Sequence, residues 1–198
     1  VKSHCMGLVQ DDWLNFHDGN LRIMNPTGEK VAEFPPENCL DYIEEKRLDW
    51  TYAKFAYLKS LGWPEGTLKV GPTARMNVIG DILTPLAKME FREFRIRFGR
   101  IVHETLLFDY ARLIELLYAC ERAIELLGDK EITKTDLRVK VAPKEGVGIG
   151  VVEAPRGTLV HRYVLDKSGK TKNIKLIIPT QINNTAINQS VKDAAKEF

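Results

Sequence analysis

Glu153-Ala154-Pro155-Arg156-Gly157-Thr158-Leu159-Val160-His161 sets one arginine between a proline and a glycine, at the point where two β-rich runs meet. Val147–Glu153 and Thr158–Leu165 are those runs. Asn173–Ile178 adds a third after the turn Asp166-Lys167-Ser168-Gly169. Proline fixes φ and removes a donor, while glycine lets the backbone bend and approach a neighbour closely. Together they suit a corner able to hold the Arg156 guanidinium rigidly over an adjacent site. A plain β-corner with an exposed arginine fits the same residues. Just upstream, Gly146, Gly148 and Gly150 form G-x-G-x-G with no helix start behind them, so they do not gather amides around a phosphate. Close backbone packing within a strand is the expectation for them.

Before this corner the pattern is helical. Thr84-Pro85 reads as an N-cap hydroxyl followed by proline at the first helical position. Phe91, Phe94 and Phe98 then share one face, and Gly99 ends the helix. A second helix is expected over Ile101–Leu127, stopped by Gly128 at a φ > 0 cap. Its apolar set, including Leu106, Leu113, Leu117 and Ile124, is broad enough to predict burial on more than one side. At ~1.5 Å per residue it would form a rod of about 40 Å. After the corner, Asn184–Phe198 returns to helix, with Ile187, Val191 and Ala194 on one side.

Toward the N-terminus, Asp18-Gly19 and Pro26-Thr27-Gly28 separate short apolar runs, as in a small β meander ended by Pro35-Pro36. A short helix is expected over Asn38–Lys46, then an aromatic-rich connection through Trp50, Tyr52, Phe55, Tyr57 and Trp63. The whole reads as an α+β chain: long central helices with two small antiparallel β-subdomains. Residues 1–198 form one region, with the meander at 13–34, a helical core at 84–128, a β-subdomain at 146–180 and a helix at 184–198.

Composition narrows the function. The 198 residues are 44% hydrophobic and 28% charged, a globular balance. Lys+Arg 29 against Asp+Glu 27 leaves a net charge of +2, too even to argue for a nucleic-acid or membrane partner. Cys5, Cys39 and Cys120 contain no C-x-x-C pair and suit a reducing cytoplasm. His103-Glu104-Thr105-Leu106-Leu107 is half of H-E-x-x-H, and leucine at the second histidine position ends the metalloprotease reading. Phe91–Arg100 interleaves aromatics with arginines as an RNA-binding surface does, but phenylalanines facing a core and arginines facing water account for it. The aromatic stretch Trp50–Trp63 could serve a scaffold or binding module; such residues more often lie in a core.

The block Glu153–His161 resembles the E-A-P-R-G-x-L-x-H segment of nickel–iron hydrogenase large subunits. Four further segments resemble that family in the right order. They are Ser3-His4; Gly71-Pro72-Thr73-Ala74-Arg75-Met76-Asn77 (G-P-x-A-R-x-N); Tyr110–Leu117 (the long central helix); and Leu176–Asn188, a strand followed by P-T-x-x-N. The wording is closest to cytoplasmic multi-subunit enzymes of archaea and anaerobes.

The resemblance implies a nickel–iron centre with cyanide and carbonyl ligands in the full-length enzyme, and reversible oxidation of dihydrogen there. It implies an iron–sulfur small subunit plus further electron-transfer subunits as partners, with no nucleic acid and no membrane. The family holds its metals with R-x-C-G-x-C and D-P-C-x-x-C motifs, and neither occurs here. The chain is therefore expected to lie between them, to bind no nickel–iron centre and to be inactive by itself. Arg156 matches the arginine beside the metals, near the cyanides and the substrate position. Pro179 and Thr180 match positions whose backbone and hydroxyl contact the other cyanide. Leu176 matches a position whose backbone carbonyl binds a magnesium-type ion, and His161 a recurrent histidine. The alternative is a cysteine-less relative such as a respiratory complex I-type large subunit, serving in coupling or at a quinone site.

Overall fold

The computed structural model describes residues 1–197. A five-stranded sheet opens the chain: β1 (His4–Gln10), β2 (Trp13–Leu14), β3 (Asn20–Met24) and β4 (Lys30–Phe34) run antiparallel in the order β2-β1-β3-β4. Helix α1 (Cys39–Tyr42) is a single turn, followed by the hairpin β5 (Ile43–Arg47) and β6 (Lys54–Leu58). Strand β7 (Leu68–Lys69) then pairs parallel with β1. Three helices follow: α2 (Pro72–Val78), α3 (Pro85–Phe98) and α4 (Leu107–Leu127). The sheet β8 (Gly146–Ala154), β9 (Gly157–Leu165) and β10 (Thr171–Ile177) comes next, and α5 (Pro179–Glu197) closes the order. No helix among the described residues is long and apolar enough to cross a membrane.

Strand β1 is the centre of the molecule, and sequence reading passed over it. Cys5 and Val9 face one core with α2, α3 and α4, whereas Met6 and Leu8 face a second core with β6, β9 and α5. A strand buried on both faces is apolar throughout and shows no alternation. Its turn to β2 puts Asp11 and Asp12 at φ 48° and 77°, a left-handed pair that aspartate tolerates. Of the expected meander, β3 and β4 form an antiparallel pair, whereas β2 pairs with β1 and is separated from β3 by it.

The expected helix over Asn38–Lys46 is mostly strand. Beyond the turn Pro36–Asn38 and α1, residues Ile43–Arg47 pair with β6, with Ile43 opposite Leu58 and both buried. Burial of that cross-strand pair outweighs the helix propensity of the intervening Glu-Glu-Lys.

Helix α3 keeps its expected start. Thr84 is the N-cap residue, but its hydroxyl makes no cap hydrogen bond. Glu121 on α4 caps the helix instead, accepting from the Leu86 and Ala87 amides at 2.9 Å each. Phe91 and Phe94 are buried, Phe98 packs 5.3 Å from Phe94, and Gly99 ends the helix at φ 90°.

Helix α4 begins at Leu107, later than expected, because Val102 is tied by both backbone groups to the Asn77 side chain at 2.8 and 3.0 Å. It buries one face, Ala111, Ile114, Glu115 and Tyr118, while Leu113, Leu116, Ile124 and Leu127 are exposed. Among the described residues the expected burial on several sides is thus not made. Gly128 has φ −80°, so it ends the helix without the left-handed cap. The open environment of Gly146, Gly148 and Gly150 also departs from expectation: a Cβ on any of them would meet nothing within 4 Å.

Asp81 fastens the loop between α2 and α3 to α3 through Arg92 at 2.8 Å and Lys88 at 3.4 Å. Burial works against its charge, but the Ile82 amide and the two cations outweigh that and hold its pKa below the ordinary carboxylate value. Stability from this group is present above the ordinary value and is lost as pH falls through the lowered one. Asp81→Asn is therefore expected to reduce the chain's stability at pH 7 and to flatten its acid limb. Urea midpoints measured down to about pH 3 check this; an unchanged limb contradicts it.

Candidate functional site

Residues Pro155 and Arg156 form the two-residue turn of the β8–β9 hairpin, with Ala154 paired to Gly157. Gly157 stands at φ +127°, and a Cβ there would lie 2.4 Å from Val70 Cγ2 and 2.6 Å from the Gly71 nitrogen. Gly71 stands at φ +110°, and its own Cβ would lie 3.1 Å from the Arg156 carbonyl oxygen. Each glycine makes room for the other's backbone. Their closeness brings the hairpin turn against the entry to α2.

Gly157→Ala is expected to cost about 2–4 kcal/mol of stability, since it adds backbone strain to a backbone collision. Gly150→Ala, in open space on the same hairpin, is expected to change stability by less than about 0.5 kcal/mol. Urea denaturation of both variants checks the contrast, and equal costs would refute it.

The hairpin is anchored by a buried ion cluster. Arg75 on α2 is 1% exposed. Its Nε and Nη2 donate to the two oxygens of Glu115 on α4 at 2.5 and 2.7 Å. Its Nη1 donates to Glu153 Oε2 at 2.6 Å and to the Ala154 carbonyl at 3.2 Å. Glu153 Oε1 in turn accepts from the Leu8 amide at 2.9 Å and the Thr158 hydroxyl at 2.8 Å. Burial alone would discharge Arg75, but Glu115 and then Glu153 outweigh it and push its pKa above the ordinary guanidinium value. Arg75 stays charged and joins α2, α4 and the base of the Arg156 turn.

From the opposite side, α5 reaches the same turn. Asn183 accepts from the Val70 amide at 2.9 Å and donates to the Val70 carbonyl at 3.2 Å and the Arg156 carbonyl at 3.4 Å. Pro179 and Thr180 open this helix one turn earlier; Pro179 is buried and Thr180 exposed. Arg156 is exposed as well. The segments Gly71–Asn77, Glu153–His161 and Pro179–Asn183, far apart in sequence, therefore meet at one place. Leu176 lies apart from this turn, opposite His161 in the β9–β10 ladder. His161 is also opposite Gly150, and its Nδ1 lies 3.4 Å from the Tyr163 hydroxyl.

The described residues contain no group of three or more His, Cys, Asp or Glu placed to hold a metal ion. Cys5 and Cys39 are buried in different cores, and burial raises both thiols, that of Cys39 to about 12. Thiols so raised are poor sources of thiolate ligands. Cys120 is exposed on α4. The residues present therefore do not fit the ligand sphere of a nickel–iron centre. They do fit one wall of a site for a group with anionic ligands: a guanidinium on a braced turn, held from a helix that opens with proline and an exposed hydroxyl.

Residues 28–198 match the family of nickel-dependent hydrogenases. The chain belongs to that family. It is 44% identical over 191 residues to a subunit of the vhu F420-non-reducing hydrogenase of Methanococcus voltae, covering 96% of this chain and 46% of that one. With the beta subunit of the NAD-reducing hydrogenase HoxS of Cupriavidus necator it shares 39% over 191 residues, 95% of this chain and 39% of the other. Its fold superposes on a crystal structure of an NAD+-reducing [NiFe]-hydrogenase in the H2-reduced state with a TM-score of 0.90. That match has 33% identity and covers 96% of this chain and 43% of that one. The chain thus spans less than half the length of these hydrogenases, and the matches do not favour the cysteine-less alternative.

Sequence reading selected Arg156, Pro179, Thr180 and Leu176, and it missed Arg75, Glu115, Glu153 and Asn183 as supports of the turn. A signal for Arg75 was present. It is the one charge in Pro72–Val78, a helix all of whose residues are buried, and a charge so placed requires partners.

Proposed function

We propose that this chain is the part of a nickel–iron hydrogenase large subunit that walls the dihydrogen-activating centre, and that the full-length subunit oxidises dihydrogen reversibly. The observation that supports this best is the meeting of the Arg156 turn with Asn183, one turn into the helix that Pro179 and Thr180 open, in a member of the nickel-dependent hydrogenase family. The bound centre would supply two-electron chemistry on dihydrogen. Arg156 would face its anionic ligands with a cationic, planar set of donors. Thr180 would donate its hydroxyl to the ligand on the other side, and the α5 amides beyond Pro179 would add a positive end. The Leu176 carbonyl would be one ligand of a magnesium-type ion completed by other segments.

Thiolates for the metals would come from outside these 198 residues. The partners would be an iron–sulfur small subunit plus further electron-transfer subunits, and the compartment the cytoplasm. The test is the full-length subunit, purified with its partners. Dihydrogen-dependent reduction of a viologen dye together with stoichiometric nickel supports the proposal; a full-length subunit that takes up no nickel refutes it.

A further inference from the structure

We infer that Asn183 is a positioning residue for Arg156, holding the peptide between Arg156 and Gly157 in one of two orientations open to it; this rests on the role proposed above for Arg156. A peptide plane is free to flip where the residue after it is glycine, because glycine accepts φ of either sign. Gly157 is such a residue and stands at φ +127°. A flip would turn the Arg156 carbonyl through about half a turn, changing ψ of Arg156 and φ of Gly157 together. It would break the carbonyl's contact with Asn183, so that α5 no longer holds the turn that carries Arg156.

The Asn183 amide opposes that flip. One of its Nδ2 hydrogens serves the Arg156 carbonyl at 3.4 Å and the other the Val70 carbonyl at 3.2 Å, while Oδ1 takes the Val70 amide at 2.9 Å. The Val70 pair fixes the side-chain plane as a strand neighbour would, so the remaining donor has one direction in which to point. Since Asn183 follows Pro179 by four residues on α5, the same helix that presents Thr180 also sets the Arg156 turn. The two halves of the wall are thereby held in register. Neither aspartate nor serine reproduces this: aspartate lacks both donors, and serine is too short to span Val70 and Arg156 together.

The experiment uses the full-length subunit with its partners, comparing Asn183→Ser, Asn183→Asp, Arg156→Lys and the control Asn184→Ala, whose native amide contacts the Lys54 carbonyl instead. In the metal-free protein, amide hydrogen exchange over residues 154–158 is expected to rise in both Asn183 variants and to stay unchanged in Asn184→Ala. In loaded enzyme, kcat is expected to fall about 10- to 100-fold, as for a misplaced group. KM for dihydrogen and nickel content should be unchanged, and the infrared bands of the metal ligands should shift in the same sense as in Arg156→Lys. Unchanged exchange and unchanged infrared bands in both Asn183 variants would overturn the inference, as would a loss of kcat matched by loss of nickel. Wild-type turnover in Arg156→Lys would instead overturn the role given to Arg156, and the exchange measurement would still decide whether Asn183 holds the turn.

Discussion

Arg156→Lys in the full-length subunit is expected to lower dihydrogen turnover by about 100-fold or more with nickel content at the wild-type level, the scale seen when one preorganised donor is removed from a reacting centre. Lysine keeps the charge, so a loss of this size would report geometry. The guanidinium is planar and presents several donors in a fixed fork, whereas an ammonium is a compact, strongly hydrated point charge on a flexible stem. The surroundings of Arg156 are built for the rigid group. Proline precedes it, a glycine that admits no side chain follows it, and its carbonyl is held from α5. None of this bracing touches the guanidinium itself, so the substitution should leave the fold intact. Viologen reduction with nickel analysis on the same preparation checks the expectation, and wild-type turnover with full nickel content contradicts it.

The difference between Arg156 and its supports explains what the sequence could disclose. Arg156 stands out because its neighbours are residues with backbone consequences, and Pro155 and Gly157 mark a corner by composition alone. The β8–β9–β10 sheet was equally open to reading, since its turns carry glycine or aspartate at the positions that need them. Asn183 and Glu153 carry no such mark. What makes them important is a partner 113 positions away in one case and 145 in the other. Asparagine near a helix start reads as ordinary, and glutamate at a strand end reads as solvated. The β5 strand was misread for a related reason, because a charged run has little intrinsic preference for a sheet and is placed there by Ile43 finding Leu58.

The exposed apolar residues of α4 follow from the same physics at larger scale. The heavy apolar content of Leu107–Leu127 promises several buried faces, yet among the described residues only the Ala111–Tyr118 face is covered. Periodicity records the faces a helix needs to bury and is silent on which segment buries them.

Arg75→Ala is expected to cost about 3–5 kcal/mol of folding stability, more than any other single substitution considered for the chain, because it strands two buried carboxylates. Glu115 would lose both of its guanidinium contacts and Glu153 one, and the Ala154 carbonyl would lose a donor. Glu153 would keep the Leu8 amide and the Thr158 hydroxyl, so the greater part of the penalty should arise at Glu115. Removing that carboxylate in the same molecule tests the assignment. Arg75→Ala with Glu115→Ala is expected to be less destabilised than the sum of the two single variants by about 1–3 kcal/mol, the coupling of a directly bonded pair. Urea denaturation of the four proteins in the cycle supplies the numbers. Additive costs would show that Arg75 stabilises the chain by filling space between α2 and α4, and that its charge does not lock the hairpin to the helices.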